Sequence, residues 1–272
     1  MSGQIRPLLF WIGQDDIGLA RVTWLEGGEG ARGYELLVGT DPAKAPRALN
    51  RWGLVAEETR DGQGTLLALM TGSPDTSFDD ATSPAGRGGV DFHAIRHETR
   101  TGGMNWHMVR VRTASAMTVH DVDSAIARVA RESSRGRRGE TPLHPDTRPG
   151  FLIALAELVE RGAGRPLGGA QLKRLASERL RFVFGREIFE LRLKESRPHV
   201  IDLGAQPTPV VTSAFEIRTL ASGARTRFDV TFGTTGSLAD VPVAAEWQPR
   251  WWLKVRLYLN ADTSVDSPDA GG

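Results

Sequence analysis

Apolar and polar residues alternate most regularly in the last third of the chain, where Phe228, Val230 and Phe232 are interleaved with Arg227, Asp229 and Thr231. Trp251, Leu253, Val255, Leu257 and Leu259 repeat the pattern against Trp252, Lys254, Arg256 and Tyr258. A period of two sends one set of side chains to a buried sheet face and the other to water. Upstream, "RFVFGREIFELRL" and "VVTSAFEIRTL" read as further strands, with Phe189, Leu191 and Leu193 on the side that meets Phe215 and Ile217 of the next. "FGTTGSLAD" supplies glycine at turn positions, and Pro242 and Pro249 stand where a strand begins or breaks. The connections are therefore antiparallel and meander-like.

The N-terminal half carries the same signal less regularly. "LLFWIG", "GLARVTWLE", "GYELLVG", "GTLLALMTG" and the two arms "DFHAIRHE" and "MNWHMVRVR" read as strands, divided by Gly-rich turns such as "EGGEGARG". Helical spacing is confined to the middle. Val122, Ile126 and Val129 follow Asp121 and Asp123, acidic residues suited to a helix N-terminus, and predict a helix over 121–133. Two more amphipathic segments predict helices over 150–161 and 168–179. The fold class expected is mainly β with a few helices (α+β), a curved antiparallel sheet or open half-barrel covered by the central helices. The expected organisation is a β-rich half over 1–133, a polar Pro- and Gly-rich linker over 134–149, helices and sheet over 150–260, and a disordered tail over 261–272.

Composition narrows the functional classes. The 272 residues are 40% hydrophobic and 25% charged, ordinary globular values, and the net charge of +1 gives no overall field for nucleic acid. The basic run "RESSRGRRGE" contains no aromatic residue and is offset by Glu132 and Glu140, so it reads as solvated linker and no nucleic-acid partner is expected. There is no cysteine, which leaves no disulfide, thiolate metal site or cysteine nucleophile. The apolar run near the N-terminus is too short for a signal-peptide core or a membrane span, so no transmembrane segment is expected. A cytoplasmic protein is expected as written, or a cell-envelope one if a leader has been removed.

Three stretches could carry chemistry. His93, His97 and His107 fall in one predicted hairpin, but His93 and His97 lie two pleats apart, roughly 13 Å on a strand, too far to share a metal without a bulge. No metal and no cofactor is expected there; a His and carboxylate site remains the catalytic alternative. Asp15 and Asp16 occupy a turn between strands, where consecutive residues face opposite ways. In "GTDPAKAPRALNRWG", Arg47, Asn50, Arg51 and Trp52 could form an anion or aromatic subsite, or Trp52 could cap the core. A phosphate loop, a G-x-S-x-G elbow, H-E-x-x-H and a dinucleotide fingerprint are all missing.

The succession "FGREIFELRL", "TSAFEIRTL", "TRFDVTFGTTGSLADVPVAAEW" and "WWLKVRLYL" resembles the later strands of uncharacterised bacterial cell-envelope proteins with a lipoprotein-carrier-like curved sheet. The likeness is one of strand order and implies no site residues. Two functions follow as expectations. One is a binding module holding an apolar ligand or a protein partner in a curved sheet, with seven tryptophans supplying aromatic surface. The other is a hydrolase-like enzyme built on the 91–111 hairpin.

Overall fold

A computed structural model describes residues 2–5, 12–14, 16–26, 31–45, 50–61, 63–71, 91–112, 117–203, 206–250 and 253–259. The chain opens with two short strands, β1 (Ser2–Ile5) and β2 (Ile12–Gln14). It then builds a seven-stranded sheet in strict sequence order: β3 (Gly18–Glu26), β4 (Arg32–Thr40), β5 (Trp52–Arg60), β6 (Gln63–Thr71), β7 (Asp91–Arg100), β8 (Gly103–Arg112) and β9 (Arg137–Pro142). Every pairing in it is antiparallel. Helix α1 (Val122–Glu132) lies between β8 and β9 in the chain and packs on one face of this sheet.

The second half gives β10 (Thr147–Arg148), α2 (Phe151–Leu158), α3 (Gly169–Ser177), β11 (Leu180–Phe184), β12 (Glu187–Leu203), β13 (Gln206–Thr219), β14 (Arg225–Gly233), β15 (Pro242–Arg250) and β16 (Leu253–Tyr258). These strands form the second sheet in order, and β1 and β2 complete it beyond β16. Among the described strand pairs only β10 and β11 run parallel. Neither sheet is closed. The chain passes between the sheets twice, through residues 15–17 from β2 to β3 and through 143–146 from β9 to β10.

Two cores follow from the alternation. On the α1 face, Leu37, Leu54, Leu69, Ala94 and Val109 form one cross-strand row beneath Val122, Ala125 and Val129. In the second sheet Leu191, Leu193, Phe215, Val230 and Phe232 are buried with Ala154 and Leu158 of α2 and Leu175 of α3. Helix α2 touches β4 and β5 of one sheet and β11 and β12 of the other, so it stands between them.

The chain is mainly β with helices drawn from its middle, as the periodicity predicts, and the three helices fall inside the predicted spans. Phe189, Leu191 and Leu193 meet Phe215 and Ile217 across β12 and β13, as expected. Three features differ. The segment 134–149 is not a free linker: it supplies the edge strand β9 and the strand β10. An edge strand needs only backbone pairing, so its mostly exposed side chains carry no apolar alternation. Segment 52–60, absent from the predicted strands, is the interior strand β5, paired on both sides by β4 and β6. The N-terminal residues also cross the expected division, because β1 pairs with β16. The predicted tail, Trp251 and Trp252 lie outside the described residues. Among the described residues no helix is long and apolar enough to cross a membrane.

Candidate functional site

The register of β7 and β8 separates the three hairpin histidines. His97 is opposite Trp106, His93 opposite Arg110 and His107 opposite Arg96. Directly paired residues share a face, so His93 and His97 face the second sheet and α2, while His107 is on the α1 face. Burial, with Arg138 and Arg96 nearby, lowers the pKa of His107. Among the described residues no three His, Asp or Glu side chains converge as a metal set.

The loop candidates are anchors. Arg47 and Asp15 lie outside the described residues. Asn50 Nδ2 and Trp52 Nε1 both donate to the Met117 carbonyl, at 2.8 and 3.2 Å, fixing the segment that enters α1. Trp52 is 4% exposed and packs edge-on against Phe92 with centroids 5.1 Å apart, so its ring belongs to the core and offers no stacking face. Arg51 is half-buried, and burial lowers its pKa; its N–H donates to the Thr40 hydroxyl at 2.9 Å. Asp16 adopts positive φ (55°) and pairs with Lys44 at 2.7 Å, a turn-forming role.

Two buried polar groups converge instead on the segment Pro149–Gly150–Phe151 that starts α2. Glu57 on β5 and His97 on β7 flank Leu66 in one cross-strand row. Both are buried, at 0% and 1% exposure. Glu57 Oε2 accepts the Ile153 N–H at 3.0 Å, which makes it the capping carboxylate of α2 in trans, since the N-cap residue Gly150 has no side chain to do so. His97 Nε2 donates to the Pro149 carbonyl at 2.5 Å. A Cβ at Gly150 would overlap the Glu57 carboxylate, and one at Gly64 on β6 would overlap the Pro149 ring. Glycine at both positions is what lets the chain press onto the sheet.

Burial dominates the electrostatics. It pushes Glu57 up to about 7 against the opposing pull of the Ile153, Leu152 and Phe151 amides. It pushes His97 down to about 4, with the Pro149 hydrogen bond opposing. Glu57 Oε1 and His97 Nδ1 are buried without a partner. The other buried carboxylate among the described residues, Glu216, lies between Arg192 (2.8 Å) and Arg227 (3.4 Å); none of the described cations contributes in this way to Glu57.

Immediately beside these contacts is a cleft of about 240 Å³ between the sheets. Leu36 and Val55 line it from β4 and β5, Phe151 and Leu152 from α2, and Phe182, Phe184, Phe189 and Ile217 from the second sheet. Val22 and Trp24, cross-strand partners of Leu36 and Tyr34, extend the same face to the sheet edge, where Trp24 is 48% exposed. A larger groove of about 1020 Å³ opens on the α1 face, but it is rimmed by both signs of charge, including Glu58, Arg96, Glu98, Arg138 and Glu140. Arg96 and Glu98 pair there at 3.2 Å, so this groove has no dominant field to select a ligand.

The hairpin reading found His97 as a residue but not its role, and Glu57 was missed. The available signal was the alternation Trp52, Leu54, Ala56 against Gly53, Val55, Glu57, which puts a carboxylate on an apolar face. Comparison with known proteins finds no family model, no curated protein and no solved structure that matches this chain.

Proposed function

We propose that this chain is a binding module that holds an apolar small molecule in the cleft between its two sheets. The observation that carries the reading is the lining: eight side chains, four of them phenylalanine, with no polar surface among them. At about 240 Å³ the cleft has room for roughly eight water-sized groups, which suits one ring or the alkyl end of a ligand whose remainder lies along the exposed Val22 and Trp24 face. Such a cleft attracts hydrocarbon because apolar area leaves water on both partners.

The enzyme alternative has less support. A general base needs an accessible ring or carboxylate within hydrogen-bond reach of substrate, whereas His97 donates to a carbonyl and Glu57 caps a helix. His107 stands between two arginines on the other face.

The test is titration with N-phenyl-1-naphthylamine, a neutral dye that fluoresces in apolar surroundings. Saturable binding to the wild type and its loss in Leu36→Trp, which fills the cleft, are expected. No saturable binding, or equal binding to both, would refute the assignment.

A further inference from the structure

We propose that Glu57 is a proton-controlled latch on the first turn of α2, and that it makes ligand uptake by the cleft proton-linked. The second half of the proposal rests on the apolar-ligand reading above. The seating of the turn stands on the hydrogen bonds and close contacts at Glu57, and its response to protons on the full burial of that carboxyl.

The latch consists of consecutive residues with distinct tasks. Pro149 is seated over Gly64 and held through its carbonyl by His97; Gly150 leaves room for the Glu57 carboxylate; Phe151 and Leu152 form one wall of the cleft. Ile153 then delivers its N–H to Glu57. The group that caps the helix therefore lies within two residues of the ligand wall, and anything that loosens the cap displaces that wall.

The groups facing Glu57 leave its proton as the variable. On β4 its cross-strand partner is Tyr34, whose pKa is raised by burial and by Glu160. On β6 the partner is Leu66, which does not titrate, and on β7 His97 is held neutral by burial through the range above about pH 5. On the α2 side Arg148 is bound to Glu157 at 2.6 Å, and Arg32 is bound to Glu160. Among the described residues no cation is thus paired with Glu57. In the docked state burial holds its carboxyl up to about 7; once the turn swings away, water restores the ordinary value. The docked state binds the extra proton, so protonation closes the latch and ionisation opens it. The closed state completes the apolar wall, so the ligand binds more tightly as pH falls through 7.

The experiment has two arms on the full chain, comparing wild type with Glu57→Gln from pH 5 to 8. In the ligand-free protein, exchange protection of the Ile153 amide, corrected for the intrinsic pH dependence, should fall as pH rises from 5 to 7 in the wild type, level off above 7, and stay constant in the variant. In the second arm, affinity for N-phenyl-1-naphthylamine should fall in the wild type by up to about tenfold per pH unit and be flat in Glu57→Gln. The same exchange profile in both proteins overturns the latch, whatever the dye does. A latch seen in exchange with no dye binding at any pH supports the latch and overturns the ligand reading with its linkage. If Glu57→Gln does not fold, dye binding to the wild type at pH 6 in two buffers of different ionisation enthalpy reads the proton directly. Proton uptake supports the linkage, and its absence overturns it.

Discussion

Replacing Glu57 with Gln should expose an acid sensitivity that the wild type conceals. Glu57 is raised from 4.5 to about 7 in the fold. The folded state therefore holds more protons than the unfolded one between those values, and this contribution to stability is present at low pH and lost as pH rises through 7. The displacement corresponds to about 3 kcal/mol. His97 is lowered from 6.5 to about 4. The fold excludes its proton, so its contribution is present above 6.5 and lost as pH falls toward 4, again about 3 kcal/mol. Between 4.5 and 6.5 the two slopes have opposite sign and nearly cancel. Glutamine keeps the shape and removes only the Glu57 slope. Urea unfolding from pH 4 to 8.5 measures the outcome as a difference between variant and wild type, in which all other titrating groups drop out. Relative to wild type, Glu57→Gln should gain about 3 kcal/mol between pH 4.5 and 8, while its own stability falls steeply below 6.5. Two parallel curves would falsify the assignment of a buried, neutral Glu57.

The steric claim at the cap can be measured by Gly150→Ala, which should cost about 1 to 3 kcal/mol by overpacking; the loss should largely vanish in a Glu57→Ala background, and additivity of the two would contradict their contact. His97→Ala removes a buried ring and leaves the Pro149 carbonyl unpartnered, so a loss of about 2 to 3 kcal/mol by denaturant titration is expected, with chelator treatment leaving the melting temperature unchanged. In the second core, Leu193→Ala should cost about 2 to 5 kcal/mol. Leu257, which is only half-buried beside Ala245, should cost about 1 to 2 kcal/mol, and Arg256→Ala, which loses a partly exposed pair with Glu246, no more than about 1 kcal/mol. Equal losses at 193 and 256 would mean that the register of the sheet is misplaced.

Local periodicity alone determined the β class, the three helices and the apolar face formed by Phe189, Leu191, Leu193, Phe215 and Ile217. In each case a run of neighbours must bury one side together, and that requirement is written in consecutive residues. The edge strand β9 left no such mark because backbone pairing with β8 needs no particular side chains. The return of β1 to β16 left none either, since the partner is at the opposite end of the chain. The candidate site depended most on tertiary structure. Glu57 in "AEETR" and His97 in "AIRHE" look like ordinary polar strand residues. They are buried because Pro149, Gly150 and α2 are laid over them, and the hydrogen bond from Ile153 spans 96 positions of sequence. Whether a polar side chain is solvated or dry depends on what covers it, and here the cover comes from a distant part of the chain. Only the assembled fold turned a glutamate and a histidine on an apolar sheet face into the anchors of a helix and placed a hydrocarbon cleft beside them.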